Sequence, residues 1–478
     1  MANINCFLIP VRHRKKPMNN IIKYLCRHQS LLLGGTLAAI FFHSLALPVN
    51  SAPQPEVLED NPKAIVDEMW QIVNNEFVNR DFNRVDWQAK RRELLSQDYE
   101  SPKQAYKAIR EALEDLGDPY TRFLPPNEFS VLTSQTTGEL SGIGVRLAID
   151  KRTSEIYVIE AVKNSPAMKA GLKRGDRLIR INGKPTALMS LEQAQEAITG
   201  DLGTEVSLQL SRREKGVFQV TLEREQIEIP AVTYHLEEKE GHRIGYIKLD
   251  EFSSHATEQM KLAIEDLGKQ QVSGYVLDLR GNPGGLLFAS VDIARLWMKK
   301  GEIVSTIDRK GGDRHFSANG TSLTDLPLVV LVNEWSASAS EILAGALKEN
   351  GRATVVGTTT YGKGTVQSVH NLSDGSGLAV TIARYYPPSG TDINHKGISP
   401  NVYLELTMEQ QARLKNDPAL MGTDADPQYN RAISILKGRS QPISSPSTPK
   451  PVGLRWEELQ QTVKDPDPRW QRMQETVN

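Results

Sequence analysis

Residues 328–348, LVVLVNEWSASASEILAGALK, constrain the fold of this chain more than any other stretch. The run opens with five apolar residues, 328–332, of the length and β-branched content of a strand buried on both faces of a parallel sheet. Residues 333–337 are short and polar, and from Ser338 the apolar positions Ile342, Leu343, Ala346 and Leu347 recur at helical spacing until Asn350-Gly351 stops them. A buried strand that turns directly into a helix requires a sheet with helices packed on it. It also sets a cluster of serines at a helix N-terminus, where amides without intrahelical partners and the positive end of the dipole face whatever binds. The same residues have a second reading, because Ser338-Ala339-Ser340-Glu341 fits the capping box, in which a serine caps the helix and a glutamate three residues on returns the bond.

The 478-residue length accommodates roughly two to four domains. Residues 1–52 contain no Asp or Glu, carry Arg12, Arg14, Lys15, Lys16, Lys23 and Arg27, and run apolar over 31–47. They read as a secretory signal peptide with cleavage points after Ala46, Ser51 or Ala52, which implies export. An uncleaved anchor is the alternative, although the run is short of the ~20 apolar residues a spanning helix prefers and His43 interrupts it. Without these six basic residues, 51 Lys and Arg face 58 Asp and Glu, a formal charge of −7. That balance offers no basic surplus for nucleic acid or an anionic membrane face. Cys6 and Cys26 both lie in the same stretch, so an exported form has no disulfide, cysteine nucleophile or zinc–thiolate site.

Four further segments follow. Residues 53–132 read as a helical domain, with one apolar stripe at Ile65, Met69, Ile72 and Val73, another at Tyr106, Ile109, Leu113 and Leu116, and a stop at Gly117-Asp118-Pro119. The stripes are expected to form a small core, and no chemistry is assigned to them. Residues 133–226 alternate short strands (145–149, 156–160, 177–181, 206–210, 218–222) with two helical pieces. Residues 227–408 turn to alternating strands and helices, an α/β pattern whose site belongs at the strand C-terminal ends. Residues 409–478 lose periodicity, with a Ser/Pro-rich linker at 439–452 and a short amphipathic stretch at 456–463. The fold class is therefore mixed, α/β or α+β.

The second segment resembles a PDZ domain. The residues that carry the resemblance are Ser141-Gly142-Ile143-Gly144-Val145, Asn164-Ser165-Pro166-Ala167, Ala170-Gly171-Leu172, Gly175-Asp176 and Ile181-Asn182-Gly183. The turn Gly142-Ile143-Gly144 can point backbone N–H groups at a carboxylate while a neighbouring strand edge accepts an extended peptide. The resemblance implies binding of a free protein C-terminus.

A serine nucleophile needs a base and an oxyanion site. His255, His370 and His395 lack a distinctive acid partner, and no Gly-x-Ser-x-Gly elbow occurs. Tyr361-Gly362-Lys363-Gly364-Thr365 places a lysine between glycines just before a strand, where desolvation can lower a lysine pKa by ~3–5 units and make it a base. Gly357 to Lys363 also matches most of a phosphate-binding loop, but Gly364 stands where Ser/Thr should ligate magnesium and the run enters a strand-like sequence rather than a helix.

Together the PDZ-like segment, Asp278-Leu279-Arg280-Gly281-Asn282-Pro283-Gly284-Gly285, Ser336-Ala337-Ser338-Ala339-Ser340-Glu341 and Tyr361-Gly362-Lys363-Gly364-Thr365-Val366-Gln367 resemble the carboxyl-terminal processing peptidases, Ser/Lys-dyad serine endopeptidases of the tail-specific protease family. The resemblance spans roughly residues 62–406. It implies Ser338 as nucleophile, Lys363 as general base and Gln367 as the residue holding the lysine. Ala339 with Gly284 or Gly285 would form the oxyanion hole, and Gly142, Ile143 and Gly144 would bind the substrate C-terminus. The implied chemistry uses no metal or organic cofactor. Implied partners are exported proteins with free, apolar C-termini, membrane proteins among them and nucleic acid not. In oxygenic phototrophs such enzymes mature a photosystem II reaction-centre subunit, and together with export the resemblance implies a place in the periplasm or thylakoid lumen. A non-catalytic PDZ-type peptide-binding protein is the competing expectation.

Overall fold

The computed structural model describes residues 62–438, except 151 and 240, together with the backbone of a three-residue strand, Leu8–Pro10. Apart from that strand, the expected signal segment, both cysteines, the linker at 439–452 and the stretch at 456–463 lie outside the described residues. Among the described residues no helix is long and apolar enough to cross a membrane.

The central sheet has the strand order Val232–Lys239, His242–Leu249, Gly274–Asp278, Leu328–Val332, Thr354–Gly357, Val402–Tyr403. Its first pair is antiparallel and the rest are parallel. Leu328–Val332 occupies the middle, and all five of its side chains are fully enclosed. Burial of each aliphatic side chain contributes roughly 1.5–3 kcal/mol, so this strand alone commits the sheet to two covered faces. The helices Ala256–Lys269, Leu287–Trp297 and Ala339–Glu349 cover one face through the largest core cluster. Helix Pro427–Gly438 covers the other, where Tyr429, Ala432, Ile433 and Leu436 meet Val276, Val329, Leu331 and Val356. The region beyond residue 407 therefore differs from its expected lack of structure. Asp426 caps this helix by accepting the N–H groups of Gln428 and Tyr429, and Pro427 follows it at the helix start.

A second sheet lies beside the site. Thr365–Asn371 pairs with Gly377–Tyr386, which continues to Glu302–Asp308 and Asp313–Ser317, and Leu8–Pro10 lies parallel to Thr365–Asn371. The N-terminal helices Pro62–Glu76, Trp87–Ser96 and Pro102–Glu114 share their core with Leu372, Leu378 and Val380 of this sheet, and the strand Arg122–Leu124 pairs with Gly377–Tyr386. The PDZ-like sheet runs Val145–Ile149, Ile156–Ala161, Arg177–Ile181, Glu205–Arg212, Gly216–Glu223. It has its own core, and a two-stranded stalk, Glu139–Gly142 with Glu225–Glu228, connects it to the rest.

Candidate active site

The strand Leu328–Val332 ends in a turn, and the helix Ala339–Glu349 begins at once. At the join Ser338 has φ 57° and ψ −114°, a conformation that costs an L-residue of the order of 1–3 kcal/mol and persists only where the surroundings impose it. The residues flanking this strained strand-to-helix turn are alanines, so no glycine signature announces it in the sequence.

The three alternating serines separate by what their hydroxyls do. Ser336 Oγ donates to Leu279 O at 2.8 Å, and Ser340 Oγ donates to Asn282 O at 2.9 Å. Ser338 Oγ is fully buried and has no hydrogen-bond partner among the described residues. Only half of the expected capping box exists: Glu341 Oε2 accepts the Ser338 N–H at 2.8 Å, while the Ser338 hydroxyl leaves the cap open.

Glu341 does more than cap. Its carboxylate, wholly enclosed, accepts Thr360 Oγ1–H at 2.6 Å, the Gly362 N–H at 2.6 Å and the Lys363 N–H at 2.9 Å. A single atom, Oε2, thus receives the amides of both Ser338 and Lys363. From the opposite polarity, the Tyr385 hydroxyl lies 3.1 Å from Ser338 O and in hydrogen-bonding contact with Lys363 O. Burial raises the Glu341 pKa to about 7 against the pull of its four donors. Burial, then the Glu341 charge, keeps the Tyr385 phenol protonated. Sequence reasoning missed both clamps: Glu341 was legible only as a capping residue, and Tyr385 carries no signal of its own.

Lys363 is 2 % exposed, and its Nζ lies 4.7 Å from the centroid of the Tyr120 ring. Tyr120 follows the turn that ends the N-terminal helices, so the segment to which no chemistry was assigned walls in the lysine. Gln367 lies nearby on Thr365–Asn371, but its Nε2 donates to Thr365 Oγ1 at 2.9 Å and Thr381 Oγ1 at 3.2 Å, and its buried Oε1 accepts no hydrogen bond among the described residues. No hydrogen bond joins Gln367 Oε1 to Lys363 Nζ, so the expected holding of the lysine has no direct hydrogen bond behind it in this conformation.

The glycine loop 281–285 completes the site. A Cβ on Gly284 would sit 2.8 Å from Ala337 O and Ser338 Cβ and 3.0 Å from Ala339 N, so only glycine lets the loop approach the serine turn. The Gly284 N–H is taken by Asn282 Oδ1 at 2.9 Å. Gly284 O accepts the Phe252 N–H and Phe252 O accepts the Leu286 N–H, a pattern that uses no N–H of Gly285. Ala339 opens its helix, where an N–H has no intrahelical acceptor. Against expectation two of the histidines do have acid partners, supplied by distant segments: His255 Nε2 pairs with Glu139 at 3.0 Å and His370 Nε2 with Glu76 at 2.9 Å, while His395 stands against the lysine loop through its backbone, its N–H donating to Gly362 O at 2.8 Å. In the PDZ-like region Gly144 has φ 72°, Ile143 is fully buried, and the carbonyls of Ile143 and Gly144 are occupied by Ala167 and Val162.

A family model described as Peptidase family S41 matches residues 243–404, and a PDZ domain model matches residues 157–212. The chain is 41% identical over 371 residues to a carboxyl-terminal-processing protease of Synechocystis sp., covering 77% of this chain and 85% of that one. It is 37% identical over 402 residues to carboxyl-terminal-processing peptidase 3, chloroplastic, of Arabidopsis thaliana, covering 80% and 77%. A solved structure described as a photosystem II D1 C-terminal processing protease matches with 35% identity and a TM-score of 0.49, covering 77% of this chain and 99% of that one.

Proposed function

This chain belongs to peptidase family S41 and is a serine-type C-terminal processing protease, and we propose that Ser338 is its nucleophile and Lys363 its general base. The observation that carries this reading is the fate of the three alternating serines. Two hydroxyls are spent on backbone carbonyls, those of Leu279 and Asn282, and the third, at a strained turn, has no hydrogen-bond partner among the described residues. The lysine supports it through its enclosure, the kind of setting in which a lysine can serve as a base.

Catalysis then runs as acyl transfer. Lys363 Nζ accepts the Ser338 hydroxyl proton as Oγ attacks the scissile carbonyl. The oxyanion takes the N–H groups of Ala339 and Gly285, and the positive end of helix Ala339–Glu349 adds to them. Collapse releases the amine with the proton held by Lys363, and the same lysine deprotonates the water that frees the acyl group. Gln367 orients the amine after its amide turns away from Thr365 and Thr381. The substrate's terminal carboxylate is read by the amides at Gly142-Ile143-Gly144. Val145–Ile149, the end strand of its sheet, offers the edge along which an apolar tail adds. The basic and then apolar N-terminal stretch supports action on exported proteins in the periplasm or thylakoid lumen, membrane proteins included.

The test is cleavage of a folded protein bearing an unstructured apolar tail. Ser338→Ala and Lys363→Ala each lower kcat by about 10³-fold or more while the proteins stay folded, and amidating the tail raises KM. Equal cleavage by wild type and both variants would sink the dyad.

A further inference from the structure

Arg280 stands one residue before the glycine loop, and its guanidinium is fully committed. Nε donates to Asp278 Oδ1 and Oδ2 at 3.0 and 3.1 Å. Nη1 donates to Asp426 Oδ1 at 3.1 Å and Gln428 Oε1 at 2.9 Å. Nη2 donates to Asp278 Oδ2 at 2.5 Å and Asp426 Oδ2 at 2.6 Å. All five N–H groups of the fork are thereby used, a geometry no lysine reproduces. Arg280, Asp278, Asp426 and Gln428 are each at most 5 % exposed. Two carboxylates face one cation, and the excess negative charge meets the Tyr246 hydroxyl on Asp278 and the N–H groups of Gly422, Gln428 and Tyr429 on Asp426. Burial alone would push the Asp278 carboxyl up, and the Arg280 charge beside it holds it below the usual carboxylate range.

Asp426 and Gln428 lie beyond residue 404, outside the stretch the S41 model matches. We propose that the segment 422–428 is a positioning element for the oxyanion loop, with Asp426 acting through Arg280 to set where Gly285 stands relative to Ser338. The loop has no slack to absorb a misplaced stem. Gly281 N–H donates to Asn333 Oδ1 and Asn282 Nδ2 to Leu249 O, while Asn282 O accepts both the Ala337 N–H and the Ser340 hydroxyl. Gly284 is already pressed against Ser338 and Ala339 at distances that exclude a methyl group. A guanidinium held on one edge by Asp278 alone can swing about that edge. Asp426 and Gln428 close the other edge and remove the swing.

The inference rests on the oxyanion role given above to Ala339 and Gly285. Asp426→Asn keeps a side chain that still caps helix Pro427–Gly438 and removes the charge from Arg280. Its kcat on the tailed protein falls about 10- to 100-fold, the cost of moving a reacting group by a fraction of an ångström to one ångström, with KM within twofold of wild type. Leu436→Ala, which hollows the same helix's core without touching Arg280, lowers Tm and leaves kcat of the folded protein unchanged. In an Arg280→Lys background, Asp426→Asn costs no further kcat, because its effect passes through the guanidinium. Should Asp426→Asn fail to fold, Gln428→Leu removes one bond from Nη1 and gives a smaller loss of kcat, again with KM unchanged. An Asp426→Asn enzyme that loses only Tm, an additive effect in the Arg280→Lys background, or an unchanged kcat in a folded Gln428→Leu would each overturn the proposal. Ser338→Ala, run alongside, reports on the nucleophile separately, so failure of the dyad and failure of the positioning element give different patterns.

Discussion

Glu341 holds the serine turn and the lysine loop on one carboxylate, and every partner it has is a donor. Ionised, it satisfies all four; protonated, it turns an O–H toward N–H groups that need an acceptor. With a folded pKa of about 7 against 4.5 for an ordinary glutamate, the folded protein carries a proton between those values that the unfolded chain has lost. Its contribution to stability is therefore fully present below about pH 4.5 and is lost as pH rises through about 7. Activity runs the other way and rises through about pH 7 as the clamp ionises. Glu341→Gln brings an NH₂ against the same donors, so kcat drops on the order of tenfold or more and this step leaves the pH profile; a retained step would assign it to another group. Gly284 gives a second expectation at this scale. Gly284→Ala must place its Cβ against Ala337 O and Ser338 Cβ at φ 110°, costing about 1–3 kcal/mol of stability by thermal unfolding and most of the activity.

Elements with a strong period were legible in the sequence. The strand Leu328–Val332 and the helix after it, the strand Gly274–Asp278 and the helices flanking it, and the strands of the PDZ-like sheet fall where apolar spacing puts them. The missed elements owe their structure to partners. Val232–Lys239 is a polar edge strand ordered by its neighbour, Arg122–Leu124 is three residues long and exists because Gly377–Tyr386 pairs with it, and the stalk strand Glu139–Gly142 is held by Glu225–Glu228. Helix Pro427–Gly438 did have a signal, Asp426-Pro427 at its start and Tyr429, Ala432, Ile433 and Leu436 at helical spacing, but polar neighbours diluted it. The same division holds in the site. Ser338, Lys363 and the glycine loop are visible as motifs, while Glu341, Tyr385 and Tyr120 act through contacts made only when distant segments meet.

Across the whole molecule, three regions converge on one site. The N-terminal helices lend Tyr120, the stalk of the PDZ-like sheet touches the core where Glu139 meets His255 Nε2 at 3.0 Å, and the C-terminal helix closes the back of the central sheet. Ending the chain at residue 407 would strip Tyr429, Ala432, Ile433 and Leu436 from that face. At roughly 1.5–3 kcal/mol for each large side chain and about 0.8 for the alanine, the loss rivals the ~5–15 kcal/mol that holds a domain folded. Such a truncation is expected to be insoluble or unfolded by circular dichroism, whereas one ending at residue 438 keeps the helix. The claim on which all of this turns is that a buried amine, not a histidine, activates Ser338, and amine rescue of Lys363→Ala tests it most directly. Lys363→Ala leaves a cavity beneath Tyr120, and a small primary amine supplied in solution should restore part of kcat, more so as pH rises and the neutral amine becomes abundant. A folded Lys363→Ala enzyme that cleaves at the wild-type rate without amine, or that no amine restores at any pH, would contradict it.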